Sequence, residues 1–394
     1  MNNPVLDFTS VINRCNTDSW KWDAPIHAIG RKDLIQMGCA DMDFVGPPEI
    51  AKALSQAAAT GLYGYTMLND AFKSGVQSWY AQRHNCPVDK QSIVYIPRIV
   101  MAASLFVEAF SRPGDSIILS APYYPPLHDA AVNNGRNIIE PALVERDGRY
   151  VMDFEALEKQ VTKKTKAFIF VSPHNPTGRV FTREELEQVA SFCVAHDLML
   201  FVDEIHSDFV TPGHKFISCA SLKGDIEQKL IVINAPSKTF NVMGCHASYL
   251  IIPNAQVRAQ MVAEIERSGL AEPNFFANAM MKCAYQECGY YVDEVNKVID
   301  ANDEYLREKL TALFPKAKIT TREGTFLLWV DFNEVFASED EMYSFFLNKA
   351  GVVLLKGYNF SKQFAGFARI NLGCPRATLE EVVARIEKAL QDQA

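Results

Sequence analysis

Four short apolar runs rich in β-branched and aromatic residues lie in the middle of the chain: Ser116–Leu119, Ala167–Val171, Leu198–Val202 and Leu230–Ile233. Helical patterns separate them. The last three runs begin roughly thirty residues apart, the step of successive βαβ units, whose right-handed crossovers leave every strand pointing the same way. The pattern predicts an α/β fold built on a parallel sheet, with the loops after the strands gathered along one edge. That edge is where α/β enzymes place their chemistry. One intervening helix is spelled out: Thr182 caps it, Glu185 completes a capping box, and Leu186, Val189, Ala190 and Cys193 form its apolar stripe before His196 and Asp197 close it.

At 394 residues the chain is long for one core, and 48% apolar with 22% charged residues is a globular balance. The first forty or so residues lack periodicity and read as an arm, followed by a helix from about Pro48 to Thr60. Beyond about Asn274 comes a long helical stretch through Asp300 to Leu310, a strand-like Gly324–Val330, and a capped helix from Thr378 to Leu390. The expected division is an arm over residues 1–45 contributing to a small domain, a large domain over 46–285 and a small α+β domain over 286–394.

Several function classes start low. A net charge of −8 argues against a nucleic-acid or anionic-membrane binder. Met1–Asp7 shows neither a basic start nor an apolar run, and no later run is long enough to span a bilayer, so a cytoplasmic protein acting on a small molecule is expected. Nine cysteines without a C-x-x-C pair, and histidines without H-E-x-x-H, fit a reducing compartment and no metal site. Neither G-x-G-x-x-G nor a P-loop is present.

Three strand ends deliver polar residues to the shared edge: Asn175 in Ser172–Gly178, Asp203 in Val202–His206, and Lys238, which follows the strand ending at Ile233 in an uncharged turn. Each alone has an ordinary reading. A lysine is usually a solvated surface charge, Asn-Pro-Thr-Gly is a common turn, Asp-Glu after a strand also binds magnesium in nucleotide hydrolases, and His206 suits a core position. Together they match what pyridoxal phosphate needs. An amine without acidic neighbours in sequence can attack a carbonyl to form a Schiff base, and Asp203 can pair with the pyridine nitrogen so that the ring draws electrons. Asn175 and His206 can hydrogen-bond the phenolic oxygen. Ile99 and Val100 lead into an apparent helix from Ala102 to Phe110 whose free N–H groups suit the phosphate, with the Ser237 hydroxyl beside them. Tyr124 is placed to stack on the ring.

Asn175-Pro176-Thr177-Gly178, Asp203-Glu204-Ile205-His206, Ser237-Lys238-Thr239-Phe240-Asn241 and Ala368-Arg369-Ile370-Asn371-Leu372 resemble fold-type-I pyridoxal-phosphate enzymes. With Ala40-Asp41-Met42-Asp43-Phe44, they resemble the MalY/PatB-type cystathionine β-lyases, over essentially the whole chain. The resemblance implies a large domain with a mostly parallel seven-stranded sheet, a small domain built from both chain ends, and a homodimer with shared active sites. It also implies that Arg369 clamps the substrate α-carboxylate and that Tyr65 reaches the cofactor of the neighbouring subunit. Two departures stand out. Ala235 and His246 occupy positions where the superfamily often has a phosphate-binding serine and arginine, and Arg98 stands where a small residue is common.

The implied reaction is α,β-elimination from L-cystathionine or another L-cysteine S-conjugate, giving a thiol, pyruvate and ammonia, with Lys238 as the base. An aminotransferase is the nearest rival, because the same carbanion can be reprotonated on the cofactor. A regulatory protein acting through protein contact is the alternative of a different class.

Overall fold

The computed structural model describes residues 4–392. Seven strands form the main sheet: β1 (Ile93–Ile96), β2 (Ser116–Leu119), β3 (Asn137–Ile139), β4 (Thr165–Val171), β5 (Met199–Asp203), β6 (Leu230–Asn234) and β7 (Ser248–Ile251). Their spatial order is β1-β7-β6-β5-β4-β2-β3, all parallel except β7, which is antiparallel to both its neighbours. The predicted strands are therefore present within a residue or two, and the sheet is mostly parallel and seven-stranded, as the resemblance implied. Its central strands are apolar and buried through their middles, as strands covered on both faces must be, with polar residues such as Thr165, Asp203 and Asn234 only at their ends. A second sheet of four strands, Lys318–Ile319, Leu327–Asp331, Phe367–Asn371 and Leu355–Lys356 in that spatial order, carries Arg369. Among the described residues no helix is long and apolar enough to cross a membrane.

Several elements differ from expectation. The arm contains a helix, Asp23–Ile29, and a short strand, Ile35–Gln36, which pairs in parallel with Val352–Val353. The long helical stretch is two helices, Ala277–Glu287 and Gly289–Leu313, meeting at Cys288. The strand expected from Gly324 starts at Leu327, because Gly324 and Thr325 bond instead to Gly178 and Phe209. The last helix runs Arg376–Gln391 behind Pro375, which has no side-chain cap, so Thr378 lies inside the helix and is not its cap. Proline fits here because the first helical N–H groups need no partner in the chain.

The capping box of Thr182 and Glu185 is present as read, and Arg179 donates to the same Glu185. Arg179 also donates to Glu323 at 2.6 Å, with both side chains 1% exposed, and Val180 N and Arg149 complete the shell of that carboxylate. The cluster fastens the Asn175 loop to the segment entering the second sheet. Burial would raise the Glu323 pKa, but the Val180 N–H, Arg149 and Arg179 outweigh it and hold it below the usual carboxylate range. Glu323→Gln leaves the buried Arg179 guanidinium with only the half-buried Glu185 as counter-charge, so we expect a loss of about 3 kcal/mol in urea unfolding at neutral pH. A lowered folded pKa contributes stability that is present above the unfolded value and lost as pH falls through the folded one, so the gap between the two proteins should close in acid.

Candidate active site

The parallel strands all end at one edge, and β7, running the other way, brings its first residues there too. A cavity of about 400 Å³ opens at this edge between the main sheet, the arm and the second sheet. Lys238, Asp203, Asn175, His206, Tyr124, Ser237, Ile99, Val100 and Arg369 all line it, so residues spread over some 270 positions of sequence converge. Tyr65 does not line it. That residue is 98% exposed in a segment where Leu62, Tyr63 and Met67 are exposed as well.

Lys238 sits in the one-turn helix Pro236–Thr239 directly after β6. Its Nζ donates to Ala40 O at 2.5 Å, and it has no carboxylate within salt-bridge reach among the described residues. Burial pulls its pKa below that of a free lysine, with Arg369 acting in the same direction and Cys39, Asp41 and Asp203 opposing. The turn is pinned by the next residue: Thr239 Oγ1 donates to Asp208 Oδ2 at 2.7 Å, deep in the core.

Asp203 ends β5 and is 3% exposed. Ile205 N donates to its Oδ1 at 3.0 Å, and no cationic side chain pairs with it among the described residues. Burial raises its pKa to about 6, against the smaller opposing effects of the Ile205 N–H and the Lys238 charge. His206 is 2% exposed with Nδ1 unpartnered, and burial holds its pKa far below the ordinary value, so the imidazole is neutral. Its ring packs on Phe326 at 5.4 Å between centroids.

Arg369 is buried, with Nη1 donating to Asn175 Oδ1 at 2.9 Å, Nη2 donating to Gly38 O at 2.7 Å, and Nε free. Its guanidinium lies 5.1 Å from the Phe360 centroid. Burial brings its pKa down to about 10, which leaves it charged at neutral pH. The structure therefore joins two residues that the sequence offered separately, Asn175 and Arg369, through a direct hydrogen bond. Tyr124 stands beside them, its hydroxyl pKa raised by burial.

At the opposite end, the helix begins at Ile99, three residues before the predicted start, with Arg98 in extended conformation as its N-cap. Ile99 and Val100 thus supply first-turn N–H groups to the cavity wall instead of preceding the helix. Arg98 and His246 also line this end, whereas Ala235 is fully buried outside the cavity wall. His246 has φ +47°.

The sequence did not single out the arm's share of the wall: Trp20, Lys21, Pro25, Gln36, Gly38 and Cys39. The segment Gly38–Phe44 is a junction to which three parts of the chain attach. Asn241 Nδ2 donates to Met42 O at 2.8 Å, and Asn371 Nδ2 donates to Cys39 O and Asp41 O at 2.8 and 2.7 Å. Lys21 Nζ donates to Asp43 Oδ2 at 2.6 Å, and Arg14 bonds both Asp41 and Asp43. Gly38 has to be glycine, because a Cβ there would come within 2.9 Å of Leu355 N. The available signal was the Ala40–Phe44 motif itself, whose acids serve the arm and whose backbone serves the site.

The fold and the cavity together are those of fold type I of the pyridoxal-phosphate enzymes. The chain belongs to the family aminotransferase class I and II, which matches residues 32–386. Within that family it is 36% identical over 386 residues to cystathionine beta-lyase PatB of Bacillus subtilis strain 168, covering 98% of this chain and 100% of that protein. It is 29% identical to protein MalY of Escherichia coli strain K12, covering 98% and 99%. Cystalysin of Treponema denticola, whose crystal structure contains pyridoxal 5'-phosphate, superposes with a TM-score of 0.95 at 34% identity, over 99% of this chain and all of that one.

Proposed function

We propose that the protein is a pyridoxal-phosphate-dependent carbon–sulfur β-lyase that cleaves L-cystathionine or other L-cysteine S-conjugates to a thiol, pyruvate and ammonia. The observation that carries this reading is Asp203, a carboxylate buried at the floor of the cavity without a cation, beside an amine whose proton is loosened by burial. A protonated pyridine nitrogen supplies the missing counter-charge. The unpartnered His206 Nδ1 and the first turn at Ile99 and Val100, with Ser237, suit the phenolic oxygen and the phosphate of the same molecule. Arg98 adds positive charge at the phosphate end.

Bound pyridoxal phosphate supplies a sink for the electron pair left when the Cα–H bond breaks. The chain supplies the rest. Lys238 holds the cofactor and, once freed, takes the Cα proton as base. Arg369 fixes the α-carboxylate, its fork held in plane by Asn175 and Gly38. Tyr124 packs against the ring. The similarity to the relative named cystathionine beta-lyase supports loss of a thiolate from Cβ over amino-group transfer.

Three further readings belong with it. The exposed apolar run Leu62, Tyr63, Tyr65 and Met67 is covered by a second copy, with Tyr65 reaching the partner's cavity. Residues 1–45, 46–285 and 286–394 are arm, large domain and small domain, supported by the pairing of the arm strand with Val352–Val353. The protein acts in the cytoplasm. The direct test of the activity is a thiol assay on L-cystathionine with protein reconstituted with pyridoxal phosphate: free thiol should appear catalytically, and its absence would reject the reading.

A further inference from the structure

The part of the cavity wall that the arm supplies is used by none of the groups above. Gln36 lines it, 3% exposed, and its Nε2 has no hydrogen-bond partner among the described residues. A buried amide left unpaired is unfavourable, and in a cavity wall it marks a place where a ligand completes the pairing. Backbone geometry fixes its location. The strand Ile35–Gln36 is continued by Met37 N, which bonds Val353 O at 2.9 Å, and two residues beyond Gln36 the Gly38 carbonyl holds Arg369. Two residues of extended chain span roughly 7 Å, so Gln36 lies within about that distance of the Gly38 anchor. The arm adds Trp20, Pro25 and Lys21 to the wall and the second sheet adds Leu355, the Lys21 amine being held by Asp43 and Asp41 O. Asp203, at the cavity floor, is the only carboxylate among the lining residues, so nothing in this outer region repels a negative group.

We infer that this region is the subsite for the sulfur-linked substituent and that Gln36 determines its specificity. It takes conjugates whose substituent is an apolar stem ending in a hydrogen-bond acceptor such as a carboxylate. The inference rests on the lyase reading. With the α-carboxylate on Arg369 and Cα at Lys238, the chain beyond Cβ–S has this part of the cavity to occupy, and a terminal acceptor meets the Gln36 amide.

The test compares S-carboxypropyl-L-cysteine with S-butyl-L-cysteine, which carries a methyl in place of the distal carboxylate, using holoenzyme. In the unaltered enzyme kcat/KM should favour the carboxylate conjugate, and in Gln36→Leu that preference should fall about tenfold, the factor expected for one lost hydrogen bond. Gln36→Glu places a negative group against the distal carboxylate and should reduce the preference further. No preference in the unaltered enzyme, or the same preference in both variants, overturns the inference. Failure of the unaltered enzyme to release thiol from either conjugate would instead reject the lyase reading beneath it.

Discussion

Lys238→Ala should lower thiol release by at least about a thousandfold, because it removes both the group that holds the cofactor and the base that takes the Cα proton. No other lysine can substitute. Lys21 is the only other lysine of the cavity wall, and it is bound to Asp43 at 2.6 Å and to Asp41 O. The lost side chain makes one hydrogen bond, to Ala40 O, so the fold should survive and urea unfolding should change little. Hydride reduction of the unaltered protein should lock the cofactor onto residue 238, detectable as a mass increase on the peptide containing it, and the variant should show none. Turnover near that of the unaltered protein would remove Lys238 from both roles.

Asp203→Asn should act in two opposite directions. In catalysis, the amide cannot balance a protonated pyridine nitrogen, so proton removal from Cα should slow by roughly a hundredfold or more. In the cofactor-free protein the same change should stabilise the fold. Burial raises the Asp203 pKa from 3.8 to about 6. Below about pH 3 the group is neutral folded and unfolded, and no penalty exists. As pH rises towards 6 the unfolded chain ionises first, the folded state loses relative stability, and above that the penalty is constant. Asn cannot ionise and can still accept from Ile205 N. It should therefore gain on the order of 1–3 kcal/mol over the unaltered apoprotein at pH 8, the lower end reflecting its unpaired N–H₂. The gain should shrink as pH falls and vanish near pH 3. Calorimetric melting of both apoproteins across this range checks the sign, and a variant less stable than the parent at pH 8 would show that Asp203 is not the uncompensated carboxylate described above.

Four of the seven strands were legible because they are short and apolar, whereas Ile93–Ile96, Asn137–Ile139 and Ser248–Ile251 were not singled out; the capped helix at Thr182 was legible because its cap, box and stripe agree. Asn175, Asp203 and Lys238 could be proposed together because each follows a strand of one parallel sheet, which topology alone brings to a common edge. Arg369 could not be placed by that argument. It comes from the second sheet, and its bond to Asn175 depends on how the two sheets pack, which no local pattern encodes. Gln36, Gly38 and Trp20 were missed for a related reason. The arm has no periodicity of its own, and its position is set by long-range bonds from Asn241, Asn371 and Arg369 to the backbone of residues 38–44. The start of the helix at Ile99 was misjudged because Ile-Val-Met reads as a strand or turn, and only the extended backbone of Arg98 marks the boundary. Tyr65 shows the limit of a single chain. It is almost fully exposed, and its expected role lies in a second copy.

The central claim is that the electron pair released at Cα expels a group from Cβ instead of moving an amino group to an acceptor. The most direct measurement follows pyruvate and free thiol from L-cystathionine with protein reconstituted with pyridoxal phosphate, with and without an added 2-oxo acid. Equal amounts of pyruvate and thiol, unchanged by the oxo acid, are the predicted result. Amino-group transfer that requires the oxo acid, with no thiol released, would contradict it and make the protein an aminotransferase.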